Sequence, residues 1–429
     1  VWALAQDHVN ADLLFAGTAF GVFFTRDGGG HWIQLKGGLP VIAVRDLALQ
    51  RRENDLVLAT FGRGFWVLDD YSALRMADES TLAEPASLFP IRPALSYIET
   101  SRLGLGTLKK AFQGDGFYVA DNPPYGAVFT YHLGEEIQSR EERRIDADAD
   151  AREEERPVDY PSLDELREED LERDPFVLLT VRDGDGRVVR RVEGPRSEGF
   201  HRVAWNLRLP DLRPVNLNPG PPSVWENPPA GPLALPGTYT VDVAQVVDGE
   251  TTVLAGPTEF EVRARDLAPF AADDLPALQA FRLEAAELQR AVLGAVGVHG
   301  EVDSRLDHLH QAVLDSRATD IAVLTEIEAL QDRLNALTLI LVGDRTAARR
   351  NEAPAPSIVG RVNRVIAGQW YVTSAPTGTE LQNLGWAGEA FAELLPQLLA
   401  LEEDVADLER RLEADGAPWT PGRTPVWSR

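Results

Sequence analysis

Eight residues, Thr25-Arg26-Asp27-Gly28-Gly29-Gly30-His31-Trp32, set an acid, three consecutive glycines and an aromatic between two apolar runs. Three kinds of chemistry use such a stretch. A phosphate loop cradles oxygens on backbone N–H groups, but it follows its glycines with Lys and Ser or Thr. Here His31 and Trp32 stand there instead. A calcium loop needs several oxygen ligands, and this octet offers only Asp27 and Thr25. A structural hairpin asks for less: the carboxylate accepts the turn's N–H groups while glycines take left-handed backbone.

Other residues invite the same weighing. Arg63 lies between Gly62 and Gly64, and loops on a rigid scaffold often carry binding groups; the plainer reading is a turn arginine held by a neighbouring loop. Asp69 and Asp70 are neighbours on an expected strand, so they project to opposite faces and cannot flank one bond. Asp183 and Asp185 could hold calcium, but Asp-Gly is itself the signal of a hairpin turn that needs no metal. His299, Asp303, Asp307, His308 and His310 crowd one helix. Asp303 and Asp307 share a face, and His308 and His310 do not join them. Trp225 lies in a proline-rich loop and is a candidate to stack on a sugar or peptide, against packing across a rim. Trp205, Tyr239 and Phe260 alternate on strands and are expected in a core. No catalytic residue, metal or cofactor is assigned.

The elements that position these groups begin with a repeat. Leu4 falls on Leu47, Asp12 on Asp55, Leu13 on Leu56, Ala16 on Ala59, Gly21 on Gly64 and Asp27 on Asp70, an offset of 43 residues. Several short strands per unit at a spacing of about 40–50 residues mark β-propeller blades. The strands are expected at 1–6, 13–18, 21–25 and 32–35, then at 44–49, 56–61 and 64–68. Two blades cannot close a ring, and Val1–Leu4 read as mid-strand, so the chain is expected to be the C-terminal part of a longer protein.

Residues 1–75 are thus read as blades, and 76–135 as a linker ending in strands over 117–133. Residues 136–175 are charged and poor in aromatics, which suits a solvated, mobile insertion. Residues 176–265 read as an immunoglobulin-like β-sandwich, opened by a hairpin at Asp183-Gly184-Asp185-Gly186 and joined by the strands before the insertion. Over 266–415 the apolar period becomes helical, with Asp274 as a cap and Thr377-Gly378-Thr379-Glu380 as a capping box. Pro396 should kink or split the last helix. Residues 416–429 form an extended tail. The fold class is multidomain β plus α: terminal β-propeller blades, an immunoglobulin-like sandwich and a C-terminal antiparallel helical bundle.

Composition narrows the partners. The formal charge of -26 over 429 residues repels nucleic acid and anionic membranes. With no cysteine, disulfides and thiolate chemistry are excluded. No apolar run reaches the ~18 residues of a membrane span.

The octet also matches the pattern Ser/Thr-x-Asp-x-Gly-x-Thr-Trp at Thr25, Asp27, Gly29 and Trp32, with His31 in place of the Thr. It resembles the Asp-box of bacterial neuraminidase repeats, found in sialidases and sortilin-type propellers. The resemblance implies an acid that clasps a hairpin on the blade's outer rim and a Trp that packs between blades. The second unit departs from it, with Leu68-Asp69-Asp70-Tyr71 lacking the Gly and Trp. "ATFGRGFWVLDDYSALR", "FYVADNPPYGAVFTYHL" and "HRVAWNLRLP" with "LPGTYTV" resemble a group of exported bacterial proteins labelled glycosyl hydrolase, neuraminidase-repeat or sortilin-like. Their propellers precede a sandwich similar to that of the flagellar hook-capping protein. The function implied is an exported, non-catalytic binding region for protein, peptide or glycan, with a possible homodimer through the helices. The alternative is part of a sialidase-like glycoside hydrolase whose catalytic residues lie mainly in upstream blades.

Overall fold

The computed structural model describes residues 1–99, 120, 122–158, 160–218, 220, 229–265, 271–424 and 427. The chain is a multidomain β plus α protein of two compact units. The first takes Val1–Ser96, Tyr118–Leu207 and Pro236–Arg265; the second takes Tyr97–Phe117, Arg208–Leu235 and Asp266–Arg429.

The first unit opens with β1 (Ala3–Gln6), β2 (Leu14–Thr18), β3 (Gly21–Thr25) and β4 (Ile33–Leu35), an antiparallel meander. A second antiparallel sheet follows, of β5 (Val44–Gln50), β6 (Asp55–Thr60) and β7 (Phe65–Leu68). Period-2 alternation explains both. Phe15, Val22 and Phe24 from the first sheet share one apolar cluster with Val44, Leu56 and Leu58 from the second, joined by Leu47, Leu49, Trp66 and Leu68. Each such side chain contributes roughly 1.5–3 kcal/mol when fully buried. Gly17 fits the contact because a Cβ there would lie 2.9 Å from the Val44 carbonyl oxygen. The pairing register slips between Val44 and Asp46, so Arg45 is the extra residue of a β-bulge. That slip lets Val44 and Leu47 face the same core although three residues apart. On the opposite face of the second sheet stand Val57, Ala59, Phe65 and Val67, paired across β6 and β7; Phe65 is 78% and Val67 53% exposed.

The chain continues through α1 (Glu79–Leu82), β8 (Ala86–Leu88), β9 (Ala94–Ser96) and β10 (Ala127–Leu133). Then come α2 (Arg140–Glu153), α3 (Leu163–Leu171), β11 (Phe176–Asp183), β12 (Val188–Gly194), β13 (Gly199–Trp205), β14 (Gly237–Val247) and β15 (Glu250–Ala264). They build a three-stranded sheet in the order β13-β10-β8 and a five-stranded sheet in the order β12-β11-β14-β15-β9, with β15 and β9 parallel. Aromatic rings join the two. Trp205 meets Tyr239 edge-on at 5.3 Å, and Phe129 meets Phe260 at 5.4 Å. Trp205, Tyr239 and Phe260 are all buried, in the core where alternation places them.

The charged insertion carries two helices that sequence reading did not assign. Ser139 with Glu142, and Ser162 with Glu165, form complete capping boxes, and acidic first turns suit the helix dipole. Arg144 pairs with Glu169 at 2.7 Å across the two helices. Charge richness hides helix signals when the caps are not read.

The second unit is helical: α4 (Leu275–Asp315), α5 (Val323–Leu341), α6 (Arg345–Arg349), α7 (Ile358–Gln369) and α8 (Gly378–Ala414). One apolar cluster draws on α4, α5, α7 and α8. Side-chain ties fix the directions. Asp303 meets Gln331 while His299 meets Thr338, so α4 and α5 are antiparallel. Arg333 meets Asp404 and Arg411 meets Glu326, so α5 and α8 are antiparallel. Arg361 meets Asn383 and Gln369 meets Glu380, which makes α7 antiparallel to α8. Asp274 caps α4 through Ala277 N–H, and Thr377 with Glu380 closes the box on α8. Pro396 does not split α8. It lies exposed between buried Leu394 and Leu398, so water can take the carbonyl it leaves free. The tail is not simply extended: Thr420 is buried, and Arg423 pairs with Glu413 and lies 3.7 Å from Glu409. Among the described residues no helix is long and apolar enough to cross a membrane.

Candidate functional site

The octet closes the β3–β4 turn. The Thr25 hydroxyl donates to Asp27 Oδ1 at 2.6 Å, and the same oxygen accepts the His31 N–H at 2.9 Å. Thr25 Oγ1 accepts the Gly29 N–H at 3.1 Å. Those bonds, the Thr25 hydroxyl first, hold the Asp27 carboxyl well below the usual carboxylate range. Gly28 and Gly29 have φ of 69° and 113°, which explains two of the glycines. At Gly30 a Cβ would sit 2.6 Å from Asp27 Oδ2. The donors that would face a phosphate are therefore spent on the turn itself. Trp32 is 41% exposed, with its indole beside Gly29 of its own turn.

Near this end of the strands lies a group that sequence reading missed. Asp7, just past β1, is buried and accepts from Arg75 Nε at 2.7 Å, Arg75 Nη2 at 2.8 Å and the Tyr71 hydroxyl at 2.7 Å. The Asn10 N–H adds a fourth bond at 2.8 Å. Burial alone would push this carboxyl up; the four bonds and the Arg75 charge outweigh it and hold the carboxyl far below its ordinary value. Burial and then Asp7 push the Tyr71 phenol up. The constellation resembles catalytic machinery in residue type, but Tyr71 is 1% exposed and the bonds are mutual. It is a structural clasp. Asp69 and Asp70 lie beyond the end of β7 rather than on a strand as expected. Asp70 instead caps the 3₁₀ turn Tyr71–Arg75 at φ 39°. Burial, then the Asp55 charge, pushes the Asp69 carboxyl up.

The opposite strand ends are open. Ala3 pairs with Gly17 and Val44 with Thr60, so the start of β1 lies beside the β2–β3 turn and the start of β5 beside the β6–β7 turn. There the bulge residue Arg45 places its guanidinium 3.9 Å from the Trp2 ring centroid and 5.3 Å from that of Phe61. Trp2 is 56% and Phe61 68% exposed. The Trp2 N–H donates to Gly17 O at 2.7 Å and the Phe61 N–H to Ala43 O at 2.9 Å, which fixes both rings by their backbones. Arg63 is exposed on the same turn as Phe61, between Gly62 and Gly64 at φ 82° and 66°. The Thr60 hydroxyl, donating to Gly64 O at 2.7 Å, holds the turn shut. Neither Arg45 nor Arg63 has a carboxylate partner among the described residues. Two aromatic faces, one stacked guanidinium and one unpaired guanidinium make a surface for a ligand with both apolar faces and acidic oxygens. Sequence reading found Arg63 alone. The missed signal was large aromatics at strand ends, outside the alternation that fills the core.

The remaining candidates do not gather. Asp183 Oδ1 accepts the N–H groups of Asp185 and Arg187 at 3.0 and 2.9 Å, as a hairpin turn requires. Asp303 bonds Gln331, His299 bonds Thr338 and His308 bonds the Ser304 carbonyl. No group of three or more His, Cys, Asp or Glu among the described residues could hold a metal ion. Trp225 lies outside the described residues. A surface hollow of about 370 Å³ lies between α2 and α3, lined by Arg140, Arg144, Tyr160 and three glutamates, whose charges are largely paired. No family model matches the chain, and no curated protein matches it.

Proposed function

We propose that this chain is the binding region of an exported, neuraminidase-repeat, sortilin-like propeller protein, and that Trp2, Arg45, Phe61 and Arg63 take its ligand. The exposed Trp2–Arg45–Phe61 stack beside Arg63 carries this reading. A sugar ring or peptide side chain stacks on the aromatic faces, and its carboxylate meets the guanidinium groups. An acidic glycan or acidic peptide fits that chemistry better than a neutral one.

Three observations favour the propeller assignment: the 43-residue repeat, the two successive antiparallel sheets sharing one core, and the apolar outer face of the second. A sheet that buries one apolar face and presents another suits a ring of stacked sheets. The rings of Phe129, Trp205, Tyr239 and Phe260 between two further sheets favour the sandwich assignment. A hydrolytic reading gains nothing from the open end, whose turns contribute no acid. Exposed Leu381, Leu395 and Leu399 on α8 favour dimerisation through the helices; a monomer in sedimentation at high concentration overturns it.

The test is an array of acidic and neutral glycans and of acidic and neutral peptides, followed by titration of the best binder. Arg45→Ala, Trp2→Ala and Arg63→Ala should each weaken binding by about tenfold or more with an unchanged far-UV spectrum. Binding that survives all three changes sinks the assignment.

A further inference from the structure

In the second unit, Arg282 is 4% exposed on α4, yet it has a single acceptor among the described residues. Its Nη2 donates to the Val372 carbonyl at 2.6 Å, and its buried Nε meets none. A guanidinium taken out of water with no countercharge costs several kcal/mol, so the missing partner needs an explanation. No carboxylate forms an ion pair with Arg282 among the described residues. The neighbouring charge is itself positive. Arg208, half-buried, donates to the Trp370 carbonyl at 2.7 Å and lies 5.3 Å from the Tyr371 ring. Burial, and after it the Arg208 charge, push the Arg282 guanidinium down to about 10.

One structural account is that the two arginines cap the end of α7. Trp370 and Val372 do present carbonyls there, and a helix C-terminus offers roughly half a negative charge. The full positive charge of Arg282 alone exceeds that. Glu99 couples to Arg208 and makes no bond to Arg282. On the Arg282 side the excess is left standing, beside a donor that points at nothing. Gln279, one turn earlier on the same face of α4, also has a buried amide oxygen with no donor. A half-turn of that amide exchanges the oxygen for an N–H donor.

We propose that Arg282, backed by Arg208, is the anchor of a binding site for a small oxyanion, a phosphate or carboxylate group whose oxygen accepts from Arg282 Nε. Entry is from the side of Arg208, the more exposed of the two. The site is independent of the Trp2–Arg45–Phe61 surface.

The experiment uses the whole chain at constant ionic strength, with chloride replaced stepwise by inorganic phosphate or by acetate. The unfolding midpoint should rise saturably, by about 2–4 °C. A phosphate-only response assigns a tetrahedral anion and an acetate-only response a carboxylate. Arg282→Met should abolish the rise while Arg290→Gln, an exposed arginine of the same helix, keeps it. In the unaltered chain the Arg282 Nε–H resonance should shift saturably with the same anion, a reading that survives even if the Met variant fails to fold. A midpoint and a resonance that both ignore phosphate and acetate overturn the site and leave a capping role.

Discussion

Arg75 grips both oxygens of Asp7, from Nε at 2.7 Å and from Nη2 at 2.8 Å, across 68 residues of chain. Asp7 is buried and Arg75 partly so, and the acid is shared with Tyr71, so the contacts are not equivalent when broken. Asp7→Asn leaves the largely buried guanidinium without its countercharge, and the expected loss is about 3–5 kcal/mol in denaturant unfolding. Tyr71→Phe removes one neutral donor and should cost about 1–2 kcal/mol. Equal losses for the two variants would contradict the ion pair as the dominant contact.

The same acid sets a pH dependence. Its folded-state pKa lies below the unfolded value, so the stability it confers is complete above the unfolded pKa of about 3.9. It is lost as pH falls through the folded pKa, when the carboxylate takes a proton. Stability measured at pH 7, 4 and 3 should therefore decline toward acid, and the decline should be shallower in Asp7→Asn. An identical slope in the two proteins would assign acid sensitivity to other carboxylates.

Gly17 and Gly388 make opposite predictions for the same substitution. At Gly17 a Cβ meets the Val44 carbonyl at 2.9 Å, a backbone atom that cannot step aside, so Gly17→Ala should cost about 1–3 kcal/mol. Gly388 lies within α8 with open space around its Cβ position. There Ala should add up to about 1 kcal/mol through helix propensity. Thermal unfolding of both variants checks the pair.

How far the sequence foretold this follows from which signals are local. The strands of the first two sheets, the Asp183–Gly186 hairpin and the caps at Asp274 and Thr377 are written in neighbouring residues. The Asp27 turn was equally legible, because all its donors lie within six positions. The Asp7 clasp and the Arg45 stack were not, since Arg75 and Phe61 reach their partners only after two sheets have packed. The bulge at Arg45 breaks the alternation that would otherwise have aimed it. The helices α2 and α3 were missed because their apolar faces are thin and their stability rests on caps and charge pairs.

That last point is testable at Ser139. Its hydroxyl accepts the Glu142 N–H while Glu142 returns a bond to the Ser139 N–H and also pairs with Arg196 at 2.7 Å. Ser139→Ala should loosen α2 locally, raising amide exchange over Arg140–Glu153 by roughly fivefold for a cap of about 1 kcal/mol. The sheets should keep their protection. Exchange that is already fast along α2 in the unaltered chain would show the caps too weak to order it.

Glu409 offers the sharpest test of the helical unit. It is 1% exposed, and Arg305 holds both its oxygens at 2.8 Å, tying α8 to α4 where the two run in the same direction. Glu409→Gln should cost about 3 kcal/mol or more, because the acid's partner keeps its charge. Arg305→Met leaves the buried carboxylate only the more distant Arg423 at 3.7 Å and should cost somewhat less. The double change Arg305→Met with Glu409→Leu replaces charge by apolar volume and should recover most of the loss. A double-mutant cycle by urea unfolding measures the coupling. If the double variant is as unstable as the sum of the singles, the coupling is zero and the Arg305–Glu409 pair is not what ties the two helices.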